Sequence, residues 1–217
     1  MLDKNILATK NNFFETNYFA PTKECYKLEE KGNDRGQGKS ILTVEVGTEN
    51  NLCIPNFDVP SKRIDYKFLK SNTGIAKKID HLIFRKNGNE KWETHLIEMK
   101  TTVDSEKVQD IKKKFFAGYW NAKIFAMFLG IEIEDVNIFL YTTYQDTNFK
   151  IKNTPNPKAN FPVLGKKILS PEREWNQDFL KLNLRPYSGI SINEVEFPHK
   201  KIQMQMISGE LVGSLHL

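Results

Sequence analysis

Two acidic residues and a lysine are spaced so that they could hold a metal ion beside a phosphate group. Asp80 lies in an alternating apolar run, Ile79 to Phe84, and Glu98 and Lys100 lie near the end of a second run, Trp92 to Thr101. Carboxylates on rigid neighbouring strands bind hard divalent cations such as Mg²⁺ or Mn²⁺, and a nearby ammonium can orient water or stabilise developing negative charge. The reaction class that these residues favour is phosphodiester hydrolysis.

A β-hairpin would bring the three side chains together. Asn87-Gly88 separates the two runs and is typical of a two-residue hairpin turn with positive φ at both central residues. Strand side chains alternate between faces, so Glu98 and Lys100 share one face, and Asp80 lies on the partner strand. The sequence predicts that these groups meet at one end of the hairpin.

The pattern Asp80, seventeen residues, Glu98-Met99-Lys100 resembles the PD-(D/E)XK nuclease superfamily, with Ile79 where the motif name has proline. The resemblance implies an α/β (α+β) restriction-endonuclease-like fold with an αβββαβ core and a central mixed sheet. It also implies that Asp80 and Glu98 bind the metal, that the Met99 carbonyl adds an oxygen, and that Lys100 is catalytic. The expected core covers about residues 60–145 of a single domain, 1–217, and 146–217 form C-terminal additions.

An acid-x-Lys triplet alone is weakly specific, because it also occurs at Glu29 to Lys31, Asp65 to Lys67 and Asp110 to Lys112. Only the triplet at Glu98 ends an apolar strand that follows an acid-bearing strand at hairpin distance. Asp65 has Asp58 just seven residues upstream, which leaves no room for a hairpin. The alternative interpretation is an exposed cross-strand Glu/Lys pair, worth a few tenths of a kcal/mol.

A long amphipathic helix follows the motif. It begins at Asp104 or Ser105, ends at Gly130, and carries a continuous apolar stripe: Val108, Ile111, Phe115, Tyr119, Ala122, Phe125 and Leu129. Five lysines are assigned to its solvent side: Lys107, Lys112, Lys113, Lys114 and Lys123. Of these, Lys107, Lys113 and Lys114 are candidates to contact a nucleic-acid backbone, and a solvated face is the alternative.

The remaining elements are predicted from alternation and breakers. We expect a helix over Thr22 to Lys31, a connector over Asn50 to Pro60, a loop over Asn153 to Pro162 and a helix over Glu172 to Leu182. The expected strands are Ile41 to Val46, Arg63 to Leu69, Val136 to Tyr141 and an edge strand, Ile202 to Ile207. The tail ELVGSLHL is apolar enough to pack against the body or a second subunit. The Arg63 strand would form a meander with the hairpin.

Other chemistries lack their motifs. In KGNDRGQGKS, Asn33 stands where a phosphate-binding loop needs glycine. His81 and His95 lie on the strand faces opposite Asp80 and Glu98, and no HExxH or GxSxG pattern occurs. Four further acids could supply an additional ligand, with no basis for choosing among them: Glu24, Glu30, Glu45 and Glu49.

The composition of the chain is compatible with a nuclease. The 217 residues carry a formal charge of +5 with a pI near 9.0, which suits a polyanionic partner. Cys25 and Cys53 have no metal-site spacing, so buried or half-buried free thiols are expected. There is no apolar run long enough to cross a membrane and no secretory signal, so we expect a cytoplasmic protein.

The sequence thus predicts a metal-dependent endonuclease that uses Mg²⁺ or Mn²⁺, acts on DNA in preference to RNA, and forms a possible homodimer to cut both strands. Restriction or defence is the setting that the family analogy suggests. The alternatives are a catalytically inactive nucleic-acid-binding or interaction protein of the same fold, and a metal-dependent ribonuclease.

Overall fold

The computed structural model describes residues 2–30, 39–58, 77–149, 170–184 and 194–217. Their helices are α1 (Lys4–Phe13), α2 (Ser105–Leu129) and α3 (Pro171–Trp175). Their strands are β1 (Cys25–Glu30), β2 (Ser40–Glu45), β3 (Asn51–Ile54), β4 (His81–Lys86), β5 (Trp92–Met99), β6 (Thr102–Val103), β7 (Ile138–Tyr144), β8 (Asp146–Thr147), β9 (Phe179–Asn183), β10 (Glu194–Gln203), β11 (Gln205–Ile207) and β12 (Glu210–His216). The chain is of mixed α and β structure, as expected.

A six-stranded mixed sheet with the order β3-β4-β5-β7-β10-β9 lies at the centre. The strands β3, β4 and β5 form an antiparallel meander, β5, β7 and β10 run parallel, and β9 is antiparallel to β10. The carboxyl ends of the three parallel strands therefore lie at one edge of the sheet. The motif Glu98-Met99-Lys100 is at this edge.

The two faces of the central sheet bury different sets of side chains. Leu82 and Leu96 pack on one face with residues of α2, including Phe115. Ile83 and Ile97 pack on the opposite face with a second sheet, of order β1-β2-β12-β11. The strand alternation predicted for the hairpin is confirmed by this separation.

Helix α2 has the boundaries that the sequence predicts. Asp104 caps its N-terminus by accepting hydrogen bonds from two main-chain N–H groups, and Gly130 ends it in the left-handed conformation. All seven residues of the predicted apolar stripe are buried. Because α2 connects β5 to its parallel neighbour β7, its first turns must lie near the end of β5 that carries Glu98.

The hairpin β4–β5 is confirmed, but its turn differs from the prediction. The positive φ expected at Asn87-Gly88 falls instead on Glu90, at 62°. Asn87 and Lys91 close a longer loop, in which the Asn87 side chain accepts hydrogen bonds from two later main-chain N–H groups. Asparagine stabilises this turn through its side chain, so no glycine is needed in the left-handed position.

The N-terminal predictions need correction. The segment Thr22 to Lys31 is not helical over its described residues: it contains β1, and the helix in this region is α1, which begins at Lys4. Asn50 to Pro60 was expected to be a connector, yet it contains β3, which pairs with β4. The position beside β4 that was expected for Arg63 to Leu69 is taken by β3, and Arg63 to Leu69 lies outside the described residues.

The C-terminal predictions are partly confirmed. The helix expected over Glu172 to Leu182 stops at Trp175, and β9 follows. The strand expected over Ile202 to Ile207 is divided between β10 and β11, of which β11 is an edge strand. The tail packs against the body, because β12 inserts between β2 and β11. Asn153 to Pro162 lies outside the described residues.

Candidate active site

The β4–β5 register places Asp80 beside Glu98. His81 pairs with Ile97, so Asp80, one residue before β4, is the neighbour of Glu98 across the hairpin. The Met99 N–H donates a hydrogen bond of 2.6 Å to Asp80 Oδ2. This bond fixes one carboxylate oxygen and leaves Oδ1 available to other groups.

Both carboxylates are buried and both contact ammonium groups. Asp80 is 2% exposed and Glu98 is fully buried. Lys100 forms an ion pair with Glu98 Oε1, as the sequence predicts for side chains two residues apart on a strand. Lys114 Nζ lies 2.5 Å from the same Oε1 and 3.2 Å from Asp80 Oδ1, so one ammonium joins the two acids.

Lys114 reaches this site because α2 passes close to the hairpin. A Cβ at Gly118 would lie 3.3 Å from Ile79 Cβ and 3.3 Å from Leu96 Cδ1, tighter than ordinary contact. The absence of a side chain at Gly118 therefore permits the close approach. Lys114 is four residues earlier on the helix, so the same face carries it over the two carboxylates.

Burial and charge shift the protonation equilibria of the cluster. Burial, and then the nearby charge of Asp80, raise the pKa of Glu98 to about 8. Burial lowers the pKa of Lys114, but the attraction of Asp80 and Glu98 outweighs it, so this pKa is raised overall. Lys114 is consequently a stable cation within the site.

Glu30 is a further acid of the site. Burial and the charge of Asp80 raise its pKa to about 7, and Lys100 and Lys114 act in the opposite direction. Glu30 ends β1, on the same side of that strand as the buried Leu28. It is one of four acids between which the sequence did not discriminate, and reading the segment as a strand would have indicated it.

The other candidate acids have different surroundings. Glu45 pairs with His216 at 2.8 Å, and Glu24 is exposed. The pKa of Asp58 is raised by desolvation and then by Asp80, which makes Asp58 another neighbour of the cluster. The site is therefore richer in acids than the two-carboxylate pattern implied.

The lysines of α2 do not form one solvated face. Lys113 is exposed and Lys107 is half-buried, but Lys112 pairs with Glu174 and Lys123 pairs with Asp135 at 2.7 Å. Assigning Lys114 to the solvent side was wrong, since it contacts the buried carboxylates. Lys107 and Lys113 remain the candidates for contact with a polyanion.

The histidines of the sheet are kept away from the carboxylates. His81 contacts Met99 Sδ at 3.3 Å, and His95 lies 3.1 Å from the Tyr141 hydroxyl. Both lie on the face opposite Asp80 and Glu98, as predicted. Cys53 is a buried free thiol, as expected, whereas Cys25 is exposed, so the expectation was wrong for Cys25.

The donor set fits a hard divalent cation in its chemistry. Glu98 Oε2 is buried and has no hydrogen-bond partner within the described ranges, and carboxylate oxygens are the ligands that Mg²⁺ and Mn²⁺ prefer. In the part of the chain that is described, no group of three or more His, Cys, Asp or Glu side chains is arranged to hold a metal ion. The sequence assigned a third protein oxygen to the main-chain carbonyl of Met99.

Comparison of the chain with protein-family models, with curated proteins and with solved structures finds no match. Among the described residues, no helix combines the length and apolar character needed to cross a bilayer. Function must therefore be argued from the site itself.

Proposed function

We propose that this chain is a divalent-metal-dependent endonuclease of the PD-(D/E)XK type that hydrolyses phosphodiester bonds, DNA in preference to RNA. The observation that carries the proposal is the convergence of Asp80, Glu98 and Lys100 at the end of the hairpin, where two buried carboxylates face each other beside a lysine. Buried charges are rare unless they are paired or bind metals, and they cluster at functional sites.

Each residue has a role in the proposed reaction. Asp80 and Glu98 would hold Mg²⁺ or Mn²⁺, with the Met99 carbonyl as a third oxygen. The cation supplies polarisation of the phosphoryl group and acidification of a water molecule. The Lys100 ammonium, half-buried beside Glu98, orients the attacking water and stabilises negative charge on the phosphate. The strands supply the rigidity that such a constellation requires.

The proposed substrate rests on the charge of the chain, and the proposed biological setting rests on the resemblance to the nuclease family. The net charge of +5, with Lys107 and Lys113 on the helix that leads away from the site, supports a polyanionic substrate. A restriction or defence role and a homodimer that cuts both strands are proposed on the family analogy alone.

One observation favours a second candidate. Lys114 occupies the space between the carboxyl groups, so two acids, Asp80 and Glu98, are paired with two lysines, Lys100 and Lys114. Such a cluster could serve purely as a buried ion-pair network in an inactive nucleic-acid-binding or interaction protein. A metal-dependent ribonuclease with the same residues is a third candidate.

A cleavage assay separates these candidates. The wild type and the variants Asp80→Asn, Glu98→Gln and Lys100→Gln are incubated with supercoiled plasmid, linear duplex, single-stranded DNA and RNA. Each reaction contains Mg²⁺, Mn²⁺ or a chelator. The control is Glu132→Gln, which removes an exposed acid on the segment that follows α2. Circular dichroism confirms that each variant is folded.

We expect metal-dependent cleavage of DNA that falls by about a hundredfold or more in each site variant and is unchanged in the control. Cleavage that survives the chelator, or that persists in all three variants, would contradict the assignment. Binding of DNA without cleavage would support the inactive candidate. Cleavage of RNA alone would support the ribonuclease.

A further inference from the structure

Lys114 differs from the other lysines of α2 in the groups that its ammonium contacts. It follows the buried Ile111 by three residues and precedes the buried Gly118 by four, which places it at the border of the apolar stripe. Lys113 lies about 100° away around the helix axis and is exposed. The helix thus directs a single ammonium toward the sheet, where it contacts both carboxylates.

Lys114 contacts one oxygen of each carboxylate that is proposed to bind the cation. Asp80 Oδ2 accepts a hydrogen bond from the Met99 N–H, and Lys114 Nζ lies 3.2 Å from Asp80 Oδ1. On Glu98, Lys114 and Lys100 share Oε1. A divalent ion held between Asp80 and Glu98, at about 2.0–2.1 Å from its oxygen ligands, would compete with the ammonium for the position between the two carboxylates, even where it is bound through Glu98 Oε2.

We propose that the Lys114 ammonium is an internal counter-cation of the metal-free site, and that a divalent cation must displace it from Asp80 and Glu98 in order to bind. This inference rests on the proposed function. A flexible four-carbon stem allows the displacement, and the Lys114 side chain is already 20% exposed, so its ammonium has a route to solvent. The acids therefore remain neutralised before the metal arrives.

Displacement makes a prediction about affinity that a catalytic or purely structural role for Lys114 does not make. If the ammonium competes with the metal, its removal must strengthen metal binding. If Lys114 only supported the folded shape of the site, its removal would weaken metal binding or leave it unchanged. The direction of the effect therefore tests for competition without any measurement of cleavage. Because removal of a nearby positive charge alone also favours a cation, a second experiment tests whether the ammonium itself moves.

The first experiment measures Mn²⁺ binding by titration calorimetry in the absence of nucleic acid. It compares the wild type, Lys114→Gln, Asp80→Asn and the matched control Lys113→Gln, which removes the same charge one residue away on the exposed side. We expect Lys114→Gln to bind Mn²⁺ about tenfold more tightly than the wild type, or about 1.4 kcal/mol. Lys113→Gln should match the wild type, and Asp80→Asn should lose binding.

The second experiment uses the wild type alone, so that it does not depend on the folding of Lys114→Gln. Lysine amines are labelled with an amine-reactive reagent with and without saturating Mg²⁺, and the labelled peptides are quantified by mass spectrometry. Displacement predicts faster labelling of Lys114 when Mg²⁺ is present and an unchanged rate at Lys113.

The outcomes distinguish this inference from the proposed function. No Mn²⁺ binding in either the wild type or Lys114→Gln would overturn both. Mn²⁺ binding that requires Asp80, but that is equal or weaker in Lys114→Gln, would overturn the displacement and leave the metal site standing. Where Lys114→Gln does not fold, Lys114 labelling that is unchanged or slower with Mg²⁺ overturns the displacement, and faster labelling supports it.

Discussion

A buried histidine of the central sheet should make a destabilising contribution as the pH falls. His199, on β10, is 2% exposed, and its Nε2 forms a 2.9 Å hydrogen bond with the Thr142 hydroxyl. The rings of Phe115 and Trp175 pack edge-on against it. Burial, and then the charge of Lys201, lower the pKa of His199 to about 3. The folded protein therefore keeps this imidazole neutral while the unfolded chain takes up a proton.

The sign and size of the effect follow from proton linkage. The folded pKa lies below the unfolded value of about 6.5, so the stabilising contribution is complete above pH 6.5 and is lost as the pH falls toward 3. Between pH 7.5 and pH 5.0 the free energy of unfolding should fall by about 2 kcal/mol through this group. His95, whose pKa is also lowered by burial, acts in the same direction. Glu98 and Glu30 act in the opposite direction, because their pKa values are raised to about 8 and about 7 and the folded protein therefore binds protons that the unfolded chain does not yet bind. The contribution of His199 is therefore measured as the difference in pH dependence between the wild type and a variant that lacks this histidine.

Urea unfolding at the two pH values, followed by tryptophan fluorescence, measures the loss. The variant His199→Gln keeps a polar partner for Thr142 without a group that titrates in this range. On going from pH 7.5 to pH 5.0, the change in the free energy of unfolding should be about 2 kcal/mol less unfavourable in this variant than in the wild type. The control is His216→Gln, at an exposed site, which should leave this change close to that of the wild type. If His199→Gln loses as much stability on acidification as the wild type, the reasoning is wrong.

Two further substitutions test interactions that stabilise the fold outside the site. Asn51→Leu removes the acceptor of the Tyr26 hydroxyl and the donor to two main-chain carbonyls. The free energy of unfolding, measured by urea titration, should therefore fall by about 2–4 kcal/mol. The double variant with Tyr26→Phe should recover part of this loss. Gly130→Ala forces a Cβ into a residue with φ of 68°, so the free energy of unfolding should fall by about 1 kcal/mol. Gly88→Ala, which has no neighbour within 4 Å and a φ outside the left-handed range, is the matched control and should be nearly neutral in thermal unfolding.

The elements that the sequence predicts correctly are those specified by their own residues. Helix α2 has a capping Asp104, seven apolar residues on one face and a terminal Gly130, all within one continuous segment. The strands β4 and β5 alternate and are close in sequence. Because caps and periodicity act locally, these elements could be found without knowledge of the fold.

The elements that were missed depend on distant partners. The residues of β1 include Leu28, Glu29 and Glu30, which favour helix in isolation. They form a strand because β1 pairs with β2, which buries Tyr26 and Leu28 at alternate positions. Strand β3 is four residues long and fully buried against β4, too short to show a periodic pattern. Tertiary pairing overrides local preference in both cases.

The helical period could have indicated the role of Lys114, which was assigned to the solvent side of α2. Lys113 and Lys114 are both charged and adjacent in sequence, but the period of 3.6 residues separates them by about 100° around the helix axis. Lys114 then lies next to the stripe of Ile111 and Phe115, whereas Lys113 faces solvent. A lysine at the border of a buried stripe can be directed toward the sheet, where a carboxylate opposite it would compensate its charge. The two acids that the hairpin motif had already identified, Asp80 and Glu98, supply that anion.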